Sequence, residues 1–82
     1  MTIINVGDKK ISIGDLVWIP ANTPLMFYQT NLEPEWSFRS TEKKEPVYGL
    51  VVSDEDKSIK VLIGKEHFYV RKNEVYGVEY DY

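Results

Sequence analysis

Cysteine is absent from this chain of 82 residues, which excludes disulfides and thiolate metal sites. That absence fits a reducing compartment better than a small secreted scaffold. Long apolar runs are also missing: runs such as residues 61–63 are far shorter than the roughly 20 residues of a membrane-spanning helix. The first residues lack the charged and apolar regions of a signal peptide. We therefore expect one soluble domain, residues 1–82, in the cytoplasm and without membrane contact.

The chain also lacks an excess of positive charge. Its formal net charge is −3. Nucleic-acid binders usually carry a basic excess, because neutralising phosphates supplies most of their affinity. Binding of nucleic acid stays open as the alternative function, because a few basic residues could share one edge near Tyr69. These residues are Lys60, Lys65, Arg71 and Lys72.

Groups that carry catalysis are scarce. The only histidine, His67, follows Glu66 on a predicted strand face, and the serines lie in no nucleophile-elbow context. The acidic residues 54–56 lack the glycine and the distal glutamate of a calcium loop. The five glycines are scattered singly, so no phosphate-binding loop is indicated. We expect no enzymatic activity, no metal and no cofactor.

Strands are indicated most clearly in the second half, where apolar residues alternate with period two. An acidic tip at 53–58 and a type II′ turn at Gly64–Lys65 would join three antiparallel strands. Residues 71–74 then predict a polar break with a single 3₁₀ turn before a last strand. The sets that share a face are Tyr48, Leu50 and Val52; Ile59, Val61 and Ile63; and Phe68 with Val70, opposite His67 and Tyr69.

The first half predicts an N-terminal hairpin around Gly7–Asp8, followed by a strand that ends at Pro20. Alternation along that strand places Val17 and Ile19 inward and Trp18 outward. Residues 21–45 have no clean period, and we interpret them as a long loop folded over its own aromatic side chains.

This order of elements fits a small SH3-like barrel. The stretch "GDLVW" resembles the opening of PWWP-type members of the Tudor-like and SH3-like barrels. The stretch "GLVVSDEDKSIKVLIGKEHFYVRKNEV" resembles small SH3-like proteins common in bacteriophage genomes. The resemblance covers about residues 13–78. It implies an all-β, SH3-like small antiparallel barrel with a long loop after the first barrel strand and an N-terminal hairpin. A phage protein of this kind would act in the host cytoplasm or the virion. The full motif of PWWP domains is missing, so a methyl-lysine reader role does not carry over.

Aromatic residues are the remaining functional signal. They either form a satellite core, with the long loop covering Trp18, or an exposed groove for a protein partner. The second interpretation predicts a non-catalytic protein–protein interaction module, such as a minor virion or assembly protein or an adaptor that binds a host protein. Its partner would be another protein or a second copy of the chain. The candidate residues are Trp18, Tyr28, Trp36, Tyr48, Tyr69, Tyr80 and Tyr82.

Overall fold

A computed structural model describes residues 2–5, 10–30 and 36–79. These residues form eight strands and one 3₁₀ turn, with no α-helix among them. The strands are β1 (Thr2–Asn5), β2 (Leu16–Ile19), β3 (Leu25–Thr30), β4 (Trp36–Thr41), β5 (Val47–Glu55), β6 (Ser58–Ile63), β7 (Glu66–Arg71) and β8 (Tyr76–Glu79), and the 3₁₀ turn is Lys72–Glu74. They make a single antiparallel sheet in the order β1-β8-β2-β5-β6-β7-β3-β4.

The core lies on one face of this sheet. Val17 and Ile19 are buried there, as predicted, because alternate residues of β2 point to the same face. Gly49 of β5 leaves no room for a side chain: a Cβ atom would lie 3.0 Å from Val61 Cβ. The core cluster consists of Ile11, Val17, Ile19, Leu25, Val51, Ile59, Val61, Phe68, Val70 and Val75.

The turns in the second half agree with the sequence. Gly64 has a φ of +63° and Lys65 does not have a positive φ, which matches the predicted type II′ turn between β6 and β7. The predicted 3₁₀ turn is present just before β8. The acidic tip joins β5 to β6, and Asp56 has a φ of 67° there.

The long loop predicted for residues 21–45 is wrong, because Leu25–Thr30 and Trp36–Thr41 form the paired strands β3 and β4. A turn starts the hairpin: the Thr23 N–H donates to the Pro20 carbonyl, and Asn22 takes a φ of 64°. Asparagine tolerates that left-handed conformation at the third position of the turn. Beyond the turn, Leu25 and Phe27 face the core.

The predicted N-terminal hairpin is also wrong. The strand β1 pairs with β8 at the other end of the chain, and residues 10–13 form no strand. Ser12 and Asp15 hold a turn there, in which Asp15 Oδ2 accepts the Ser12 N–H at 2.9 Å. The Gly7–Asp8 turn that we predicted lies outside the described residues.

Closure into a barrel, the third expectation, is not observed. The strands β1 and β4 end the sheet on opposite sides and do not pair with each other. The five strands β8-β2-β5-β6-β7 cannot close on each other, because both outer strands of this series are already paired. The strand β1 pairs with β8, and β3 of the β3–β4 hairpin pairs with β7. The fold is therefore an open all-β sheet rather than the closed barrel that we expected.

Candidate functional site

Three aromatic side chains line up across the face of the sheet opposite the core. Trp18 of β2 lies in register with Tyr76 of β8 on one side and with Tyr48 of β5 on the other. The rings of Trp18 and Tyr76 are 5.6 Å apart and tilted by 57°. Tyr48 is 43% exposed, and Trp18 and Tyr76 are half-buried. The row therefore presents aromatic surface to solvent.

A second row next to the aromatic one is aliphatic. Leu50 lies in register with Leu16 on β2 and with Leu62 on β6, and it is 37% exposed. On the other side of β2, Ile3 of β1 pairs with Val78 of β8, and Ile3 is 41% exposed. We call the two rows together the outer patch. It consists of Ile3, Leu16, Trp18, Tyr48, Leu50, Leu62 and Tyr76, and none of these residues is charged. Val78, the partner of Ile3, is buried on the same face and exposes little surface.

The outer patch ends where the face becomes polar. The ladder changes register between Val51 and Ser53, and this irregularity places Ser53 opposite Lys60. Farther toward the acidic tip, Ser58 pairs with Glu55 and with Arg71. The face thus changes from aromatic to aliphatic, then to mixed and charged residues, along the direction of the strands.

The structure divides the predicted aromatic set into separate groups. Trp18 and Tyr48 belong to the outer patch, whereas Tyr28 and Tyr69 form their own edge-to-face pair, with ring centroids 5.9 Å apart. Trp36 begins the edge strand β4, but its side chain lies outside the described part of the structure. Tyr80 and Tyr82 also lie outside the described residues.

Within the described residues, the segment 21–45 pairs with β7 through Met26 and Tyr69. The described ring contact of Trp18 is with Tyr76 of β8. The sequence did not predict that the aliphatic row faces solvent. Leu50 and Leu62 are apolar residues in strands, and alternation alone does not show which face of a strand is the outer one. Leu50 does share a face with Tyr48, and this was the one indication in the sequence that Leu50 belongs beside the aromatic row.

Two clefts flank the β3–β4 hairpin. One, of about 520 Å³, opens where β3 leaves β7 after the single paired position Met26–Tyr69. Phe27 and Phe68 form part of its wall in an edge-to-face contact, and Lys43 Nζ lies 5.5 Å from the Phe68 ring centroid. The other, of about 360 Å³, is lined by Met26, Tyr28, Glu55, Ser58 and Tyr69. The single histidine, His67, is exposed beside the larger cleft.

The four basic residues of the alternative function do not share one edge. Lys65 lies in the β6–β7 turn, at the opposite end of that hairpin from Arg71. Lys60 Nζ lies 5.8 Å from the Tyr69 ring centroid. Lys72 is bound to an acidic partner, because its Nζ is 2.6 Å from Asp54 Oδ1. The hydrogen bond from Lys72 holds the pKa of Asp54 below its ordinary value of 3.8.

The described residues contain no group of three or more histidine, cysteine or acidic side chains that could hold a metal ion. No helix within the described ranges has the length and hydropathy needed to cross a bilayer. Compared with protein families, curated proteins and solved structures, the chain matches none of them.

Proposed function

We propose that this protein is a non-catalytic protein–protein interaction module that binds its partner through the outer patch. The observation that carries the proposal is the two-row apolar surface on the face opposite the core. A small monomer rarely exposes a contiguous apolar surface of more than a few hundred Å² without a partner. Aromatic side chains with a polar tip, such as Tyr48 and Tyr76, are enriched at protein interfaces.

We also propose that the five central strands form an SH3-like unit in an open sheet. The order β8-β2-β5-β6-β7 and the 3₁₀ turn before the last strand support this assignment. The β3–β4 hairpin occupies the place of the long loop between the first two strands of that unit. The resemblance to small phage proteins extends the proposal: the partner would be a virion protein or a host protein.

The test uses two substitutions in the outer patch, Tyr48→Lys and Leu50→Lys. Both side chains are exposed, so the variants should fold, whereas a buried ammonium at the interface should weaken partner binding about tenfold or more. The full chain is immobilised and exposed to an extract of its native cells or virions. Bound proteins are then identified by mass and their affinity is measured.

Tyr28→Lys is the matched control, because Tyr28 is 56% exposed but lies outside the outer patch. A partner that is lost with both patch variants and retained with the control supports the proposal. A partner retained by all three variants contradicts it. Recovery of nucleic acid that falls steeply with added salt would instead support the alternative function.

A further inference from the structure

The larger cleft beside the β3–β4 hairpin opens where β3 and β7 stop pairing. The two strands are paired at one position, between Met26 and Tyr69. In the same register Tyr28 would come next, opposite His67, but the described ladder does not continue there. Both residues line the cleft instead, and its volume is about 520 Å³. Sites for small organic ligands typically have volumes of about 300–1,000 Å³.

Part of the wall of this cleft is aromatic and belongs to the core. Phe27 of β3 and Phe68 of β7 meet edge to face, with ring centroids 6.0 Å apart and an interplanar angle of 87°. Phe68 is buried, and Phe27 packs against the core cluster. Core packing therefore sets the positions of both rings without a ligand. Aromatic rings pair favourably when stacked with an offset or edge to face, so this wall suits a ligand that carries a ring.

A lysine places positive charge against the aromatic wall. Lys43 also lines the cleft, and its Nζ lies 5.5 Å from the centroid of the Phe68 ring. Its backbone is held at the turn before β3, because its carbonyl accepts the Asn22 N–H at 2.8 Å. Lys43 is half-buried, and within the described residues it forms no ion pair. A carboxylate is a stronger partner for an ammonium than a ring face is, so an anionic ligand would improve on the contact that Lys43 makes.

Glu66 and His67 lie at the rim of the cleft, where both residues are exposed. The Glu66 carboxylate opposes an anionic ligand. Water and salt screen an exposed charge more than a half-buried one, so Lys43 outweighs Glu66 inside the cleft. A cationic ligand is disfavoured, because the ammonium of Lys43 already lies over the Phe68 ring.

We propose that this cleft binds a small aromatic carboxylate. The ring of the ligand lies against Phe27 and Phe68, and its carboxylate pairs with Lys43 Nζ. Thr41 adds a hydroxyl to the lining, which can donate a hydrogen bond to the ligand. The proposal goes beyond the interaction function and does not depend on it, since none of the outer-patch residues lines the cleft.

A nuclear magnetic resonance titration of the full chain tests this proposal, with phenylacetate as the probe. Phenylacetate should shift the backbone amide signals of Phe27, Lys43 and Phe68, and the shifts should saturate at millimolar concentration. Two probes of similar size change the charge: phenylacetamide is neutral and phenethylamine is cationic. Both should bind about fivefold more weakly or worse, because neither forms the charge-assisted bond to Lys43. Equal affinity for the three probes, or no saturable shift with phenylacetate, would overturn the proposal.

Substitution of two neighbouring lysines separates this site from a general attraction of anions. Lys43→Met keeps an apolar stem and removes the ammonium, so it should weaken phenylacetate binding about fivefold or more. Lys44→Met is the matched control, because Lys44 is exposed and does not line the cleft, and it should leave the affinity unchanged. Circular dichroism checks that both variants are folded. Equal affinities of the two variants for phenylacetate would overturn the proposal.

A third variant, Glu66→Gln, tests the charge balance by a gain of binding. It removes the opposing charge from an exposed position, so the variant should fold and should bind phenylacetate more tightly than the unmodified chain does. Unchanged or weaker binding by Glu66→Gln would contradict the proposed position of the carboxylate. The proposed function is judged separately, by partner binding of the Tyr48→Lys and Leu50→Lys variants.

Discussion

At the scale of single residues, Lys72 joins two elements that are distant in sequence. Its ammonium pairs with Asp54 at the end of β5, and its backbone N–H donates to the Lys57 carbonyl in the β5–β6 turn at 3.0 Å. The side-chain bond therefore adds to a backbone contact between the acidic tip and the 3₁₀ turn. Both charged side chains remain partly exposed, which limits the contribution of the ion pair to stability.

The ion pair predicts a pH dependence of stability. The folded pKa of Asp54 lies below its ordinary value, so the pair stabilises the protein above that value. This contribution is lost as the pH falls through the folded pKa. We expect Lys72→Met to lower the melting temperature at neutral pH, with the difference from the unmodified chain disappearing in acid.

Thermal unfolding followed by circular dichroism at a series of pH values measures this difference. Lys65→Met is the matched control, because it removes the same charge from a turn that is distant from Asp54. If the difference in melting temperature between Lys72→Met and the unmodified chain did not change with pH, the Lys72–Asp54 ion pair would not be its cause.

At the scale of elements, the strands of the second half could be predicted because each carries its own period of two. The inward positions of Ile59, Val61 and Phe68 follow from that period and are confirmed. The β3–β4 hairpin could not be predicted in this way. Its apolar residues occupy consecutive positions from Leu25 to Tyr28, so the sequence does not separate the core face from the outer face.

One residue of β7 is central to the attachment of this hairpin. Phe68 is buried and meets Phe27 of β3 edge to face, with ring centroids 6.0 Å apart. We expect Phe68→Ala to lower the free energy of unfolding by about 3–5 kcal/mol, because it removes a buried ring and leaves a cavity. Urea denaturation measures this change.

Tyr69→Ala is the matched control for this prediction. Tyr69 is the next residue along β7, but it faces the outer side and is half-buried. The control should lower the free energy of unfolding by a smaller amount. If both variants lowered the free energy of unfolding equally, the two faces of β7 would contribute equally to stability. That result would contradict the placement of the core on the Phe68 face.

At the scale of the whole molecule, pairing between distant strands decides the architecture. The individual strands of a barrel and of an open sheet have the same alternation, so the sequence could not reveal that β1 extends β8 instead of pairing with residues 10–13. The outer patch was hidden for the same reason. Its members come from strands far apart in sequence, and only the register places Tyr76, Trp18 and Tyr48 in one row.

The two terminal strands should differ in their importance for folding. Every residue of the core cluster lies between Ile11 and Val75, so a chain of residues 10–82 should keep its far-ultraviolet circular dichroism and a cooperative thermal transition. A chain of residues 1–74 lacks Val75 and the strand that lies between β1 and β2, and it should not fold. A cooperative transition for residues 1–74 would contradict this order of importance.

The pairing of β1 with β8 also affects the order of events during synthesis. The ribosome makes β1 first and its described neighbour β8 after roughly 70 further residues, a delay on the order of ten seconds at the usual rates of translation. The uncharged strand Thr2–Asn5 is therefore complete well before its own partner strand exists.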